Sequence, residues 1–116
     1  MAVSVDQVRE VALGLPRAYE ALVRGRVKFL VGRIVFVAFS ADETLMGFGF
    51  PREERQALVD SEPDKFQLPG RGDMRYQWVV ARMDALDEDE MRELVTDAWR
   101  MCVPKKVAAE HLGDDL

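Results

Sequence analysis

The sequence contains few side chains that could carry out acid, base or nucleophilic chemistry. It has one histidine, His111, and one cysteine, Cys102. A catalytic triad needs a base beside its nucleophile, and Cys102 lies on the apolar side of a predicted helix, where a free cysteine is more typical of the core. A structural zinc site needs several Cys and His ligands. We therefore expect a non-enzymatic protein with no catalytic residues, no metal and no cofactor.

Three short motifs resemble ligand sites but fit structural roles better. The acidic run "DALDEDE" at 84–90 lacks the central glycine and the ligand spacing of a calcium loop, and it suits the start of a helix. Neither "GFGF" nor "GRGD" has the glycine spacing of a nucleotide-binding motif. The Arg-Gly-Asp tripeptide at 71–73 is predicted to be a turn before a strand.

The most distinctive pattern is basic. Three cations alternate with Val27, Phe29 and Val31 along a predicted strand, and alternating residues project from opposite faces of a strand. No acid interrupts residues 21–41, and further arginines lie in the next turn and in the loop before Trp78. Such cations are suited to contact phosphates, although exposed arginines also serve as ordinary solubilising groups and protect strand edges. The hypothetical nucleic-acid-binding residues are Arg24, Arg26, Lys28, Arg33, Arg71 and Arg75.

Length and composition predict one folded domain. The chain has 116 residues and a net charge of −5, which suits a single domain at 1–106 followed by a C-terminal tail at 107–116. Asp6 interrupts the N-terminus before any apolar run could form a signal peptide, and no run is long enough to cross a bilayer. A single cysteine allows no internal disulfide. We expect a cytoplasmic protein that does not bind membranes.

Local signals predict the order α-β-β-β-α-β-β-α. Ser4 and Gln7 form a capping box for a first helix at 5–13, which Gly14 ends in a left-handed conformation. Gly32-Arg33 forms a type II′ turn between strands 27–31 and 34–39, and Asp87 caps a last helix that ends by Pro104. The remaining elements are a strand at 44–50, a helix from Pro51, a strand at 65–68 and a strand at 76–83. This order predicts a two-layer α+β fold, α-β(3)-α-β(2)-α, with helices on one face of an antiparallel sheet.

Two features of the predicted sheet indicate where another group or a second chain could pack. Gly47 and Gly49 leave two positions on one face without side chains, so another group can pack closely there. Both faces of "IVFVAF" at 34–39 are apolar, so something should cover the second face. A second copy of the chain, the segment "VAAEHL" at 107–112, or the protein's own loops could do so. A chaperone-like dimer or protein-interaction module is therefore the alternative to a nucleic-acid-binding function.

Several phrases in this order resemble the MmcQ/YjbR family of small bacterial proteins. They are "VREVALGLPRAYE", "VKFLVGRIVFVAF", "FPREERQALVDSEPDKF" and "WVVARMDALDEDEMRELVTDAWRMCVPKK". The resemblance spans about residues 5–106. It implies the α-β(3)-α-β(2)-α fold, similar to type III secretion chaperones and to the double-wing arrangement, and it implies DNA binding. Where many members have a His-Met-Asn-Lys-like phrase before the tryptophan, this sequence has Asp73-Met74-Arg75-Tyr76-Gln77-Trp78.

Overall fold

A computed structural model describes residues 2–112 of the chain. The helices are α1 (Val5–Leu13), α2 (Arg55–Ser61), α3 (Glu88–Arg100) and α4 (Lys105–Leu112). The strands are β1 (Ala18–Val23), β2 (Arg26–Val31), β3 (Ile34–Phe39), β4 (Leu45–Gly49), β5 (Phe66–Gln67) and β6 (Trp78–Arg82). Single 3-10 turns cover Arg71–Asp73 and Met83–Ala85.

The six strands form one antiparallel sheet in the order β1-β2-β3-β4-β6-β5. Helices α1 and α3 pack against each other, α1 contacts β1, and α3 contacts β3 and β4. The predicted α+β class is confirmed. The structure adds one strand, β1, and one helix, α4, to the predicted order of elements.

The start of α1 follows the predicted capping box. The Ser4 side chain accepts the Gln7 amide at 3.2 Å, and the Gln7 side chain accepts the Ser4 amide at 2.8 Å. The prediction for the end of the helix was wrong, because Gly14 has φ −79° and stays in the right-handed region. The left-handed residue is Arg17, with φ 67°.

The first hairpin is the main departure from the predicted order. Val23 pairs with Arg26, so only Arg24 and Gly25 connect β1 to β2, and both have positive φ, 54° and 78°. Positive φ at both central residues is typical of a type I′ turn. The placement of Arg24 on a strand was therefore wrong. The second hairpin fits the prediction, because Val31 pairs with Ile34 across a two-residue turn in which Gly32 has φ 60°.

The core lies between the sheet and helices α1 and α3. One cross-strand row of paired residues runs Phe29, Val37, Phe48 and Val79, and none of the four is exposed. Burying a side chain of this size stabilises the fold by about 1.5 to 3 kcal/mol. The largest fully buried side chains are Trp99, Phe29, Phe36, Phe48, Met46, Leu86, Met91, Val8, Val37, Val79 and Val95.

The C-terminal part contains a helix where a tail was predicted. Asp87 caps α3 as expected, with Oδ1 accepting the Glu90 amide at 2.8 Å. After Pro104 the chain forms α4, whose His111 ring lies 5.4 Å from the Trp99 ring, centroid to centroid. Of the predicted tail at 107–116, residues 107–112 belong to α4, and 113–116 lie outside the described residues.

Candidate functional site

The sheet face opposite the core row forms the floor of an open groove of about 1080 Å³. A second cross-strand row, Lys28, Ala38, Gly47 and Val80, crosses β2, β3, β4 and β6 along this floor. Since β3 and β4 separate β2 from β6, three strand spacings put the axes of β2 and β6 about 14 Å apart. No residue of α4 lines the groove, so this helix leaves the floor uncovered.

Gly47 makes room for a larger group at the floor, as the sequence predicted. A Cβ atom on Gly47 would lie 2.5 Å from Nε1 of Trp78, so the indole rests directly on the Gly47 backbone. A Cβ on Gly49 would lie 3.6 Å from the Ala98 Cβ in α3. The expectation of close approach is confirmed at Gly47, whereas the contact at Gly49 is an ordinary van der Waals distance that would accommodate a Cβ. The sequence did not identify Trp78 as the group that uses the space.

Five cations line the groove. Arg26, Lys28 and Arg33 come from β2 and the turn after it, whereas Arg52 and Arg75 come from the segments that flank α2 and β6. Four of the six predicted residues thus line one groove, and Arg52 was missed because its place depends on the pairing of β4 with β6. The buried Phe29 and Val31 beside the exposed Arg26 confirm the predicted alternation of β2.

Two predicted residues do not line the groove: Arg24 lies in the β1–β2 turn and Arg71 in the 3-10 turn before β6. The Arg71–Asp73 segment is a single turn before β6, as predicted for this tripeptide. The backbone amide of Asp73 donates a hydrogen bond to the Gly70 carbonyl at 2.9 Å.

The groove cations make no salt bridge with any carboxylate within residues 2–112. The ion pairs of this described part join Arg9 to Asp6 and Glu20, Lys65 to Glu62 and Glu90, Arg92 to Glu88, and Arg100 to Asp97. One acid, Asp73, lines the groove beside the five cations. The local charge of the groove is therefore positive although the whole chain is acidic.

A buried arginine holds the loop that carries Arg75 and Tyr76. The guanidinium of Arg55, a residue only 7% exposed, donates to the carbonyls of Met74 at 2.6 Å, Tyr76 at 2.9 Å and Trp78 at 3.3 Å. A buried cation needs such acceptors because water is excluded. Arg55 was not predicted from the sequence, because nothing in "RQALVDS" indicates that the arginine of α2 is buried.

Arg75 and Tyr76 form a stacked pair at the end of this loop. The Arg75 guanidinium lies 4.9 Å from the centre of the Tyr76 ring, and its Nη2 donates to the tyrosine hydroxyl at 2.9 Å. Arg52 donates to the Arg75 carbonyl at 2.5 Å. Half of Tyr76 remains exposed, 51%. The pair presents a cation and an aromatic ring together at the groove.

The environment of the Cys102 thiol and the placement of possible metal ligands determine what chemistry these side chains could perform. Cys102 is half-buried at the groove, and burial raises the pKa of its thiol, which lowers its thiolate fraction at neutral pH. Within residues 2–112, no three His, Cys, Asp or Glu side chains gather closely enough to hold a metal ion. In the same residues, no helix has both the length and the apolar character needed to span a membrane.

Comparison with known proteins identifies the family. The YjbR family model matches residues 13–101, most of the chain. The chain belongs to the YjbR family. A crystal structure of the Deinococcus radiodurans protein DR2400, which carries the DUF419 domain, has the same fold with a TM-score of 0.76 and 19% identity, covering 95% of this chain and 88% of that one. No curated protein matches the sequence. The resemblance to the YjbR family and the α+β fold class that it implied are confirmed.

Proposed function

We propose that this YjbR protein binds nucleic acid through the basic groove formed by Arg26, Lys28, Arg33, Arg52 and Arg75. The observation that carries the proposal is the charge of this groove, five cations beside one acid, Asp73. No carboxylate within residues 2–112 forms a salt bridge with these cations. Their positive charge is available to phosphates.

The acidic character of the whole chain is compatible with this function. A net charge of −5 repels a polyanion at long range. Salt screens that repulsion beyond about 8 Å at physiological ionic strength, whereas a phosphate in the groove contacts the cations directly. Binding should therefore be local and should depend steeply on salt, because each neutralised phosphate releases counterions.

A pair of matched double variants tests the proposal. Arg26→Gln with Arg33→Gln removes two groove cations, and Arg24→Gln with Arg71→Gln removes two exposed cations that do not line the groove. Both doubles change the net charge equally. The affinity for a fluorescein-labelled oligonucleotide is measured by anisotropy from about 50 to 200 mM salt, a range over which phosphate contacts weaken strongly.

We expect the groove double to bind more weakly and to reduce the slope of log K against log salt by about 1.4 for a single strand or about 1.8 for a duplex. The control double should keep the slope of the wild type. Equal losses in the two doubles would contradict a groove-specific site. The absence of binding by the wild-type protein at low salt would contradict the function itself.

A protein-interaction dimer is the second candidate, favoured by the apolar residues that line the groove. Ile34 is 54% exposed and lies beside Val35 and Ala38 at the groove. A second copy docked there would bury this surface. Sedimentation analysis of the wild type and of Ile34→Ser tests this candidate: a dimer that the substitution dissociates supports it, and a wild-type monomer at high concentration contradicts it.

A further inference from the structure

We infer that the groove takes a single nucleic-acid strand, with its bases toward the sheet floor and its phosphates toward the cations. This inference rests on the proposed nucleic-acid function and specifies its ligand. It follows from two properties of the groove, namely an apolar floor and a cation–aromatic pair at one end.

The floor of the groove suits bases better than phosphates. Val35, Ala38, Leu45 and Val80 line it together with the Trp78 indole that lies on Gly47. Phosphates are strongly hydrated and would lose that hydration against apolar side chains without compensating hydrogen bonds. The faces of unstacked bases are apolar, and they gain contact area on such a surface.

The cations lie where a backbone above such bases would pass. Arg26 and Lys28 project from β2, and Arg75 extends from the loop before β6, on either side of the floor. The Tyr76 ring is half exposed and carries the Arg75 guanidinium 4.9 Å from its centre. Aromatic rings beside arginines are the usual stacking surfaces for single strands.

The apolar floor of the groove disfavours a duplex as the ligand. A duplex keeps its bases stacked inside and exposes phosphates on its outer surface. It could reach the rim cations but would leave the apolar floor unfilled, so most of the surface described above would contribute nothing to its affinity.

The test compares the affinities of single-stranded and duplex probes, and it compares variants of Tyr76. The probes are a labelled mixed-sequence DNA of about 12 nucleotides, within the range of single-strand site sizes, the same sequence as RNA, and the DNA duplexed with its complement. Tyr76→Leu removes the stacking ring, and Tyr76→Phe keeps it and serves as the control. Unfolding midpoints in urea verify that each variant is folded.

We expect one of the single strands to bind more tightly than the duplex. Tyr76→Leu should weaken that binding about 5- to 150-fold, the range for losing one base stack. Tyr76→Phe should bind like the wild type.

Two results would overturn the inference while leaving a nucleic-acid function intact: tighter binding of the duplex, or Tyr76→Leu binding a single strand as tightly as Tyr76→Phe does. Failure of all three probes to bind the wild type at low salt would instead refute the proposed function, and the inference with it.

Discussion

Replacing Arg55 by methionine should destabilise the protein far more than replacing any exposed arginine. Methionine keeps most of the aliphatic packing but leaves the carbonyls of Met74, Tyr76 and Trp78 without their donor. A hydrogen bond to a charged group contributes about 1.5 to 3 kcal/mol. The loop lies near solvent and water can replace part of the loss, so we expect a decrease of roughly 3 to 5 kcal/mol in the free energy of unfolding.

The matched control is Arg52→Met. Arg52 is exposed and donates one hydrogen bond, to the Arg75 carbonyl, so its loss should cost less than about 1.5 kcal/mol. Urea unfolding followed by circular dichroism measures both variants. With a slope of about 1 to 3 kcal/mol per molar urea, Arg55→Met should lower the midpoint by more than about 1 M. Equal midpoints for the two variants would refute the structural role that we assign to Arg55.

Three further predictions concern packing, pH and reactivity. Gly47→Ala should displace the Trp78 indole at a cost of about 1 to 3 kcal/mol; unchanged stability and unchanged acrylamide quenching of tryptophan fluorescence would contradict this. The Arg9 hydrogen bond lowers the pKa of Glu20 below its ordinary value of 4.5, so this pair stabilises the fold above that pH and the stabilisation is lost as the pH falls through the lowered pKa. Glu20→Gln should therefore shift the urea midpoint at neutral pH but not in acid, and a shift that persists in acid would contradict the assignment. Cys102 should react with a thiol reagent more slowly in the native protein than in urea, because burial raises its pKa; equal rates would show that it is not protected.

The sequence predicted those features that depend on near neighbours in the chain. The capping box of Ser4 and Gln7, the Asp87 cap and the two-residue turn at Gly32 each involve residues at most three apart, and side-chain chemistry specifies them directly. Alternation along β2 likewise required only the pattern of the strand itself.

The features that were missed depend on distant contacts or on an atypical residue. Strand β1 contains Ala18, Glu20 and Ala21, which have little strand preference, and its turn uses Arg24 at a left-handed position that usually suits Asn or Gly.

Strand β6 pairs with β4 and lies between it and β5. That pairing brings Arg52 and Arg75 to the groove and buries Arg55 beneath the loop. No pattern within a short stretch of the sequence predicts that β4 pairs with β6.

The salt dependence of oligonucleotide binding by the wild-type protein tests the central claim most directly. If all five groove cations contact phosphates, log K for a single strand should fall with log salt at a slope of up to about −3.5. Raising the salt fourfold, from about 50 to 200 mM, would then weaken binding up to about 100-fold. A flat dependence, or no binding at the lower salt, would contradict a basic groove that binds nucleic acid.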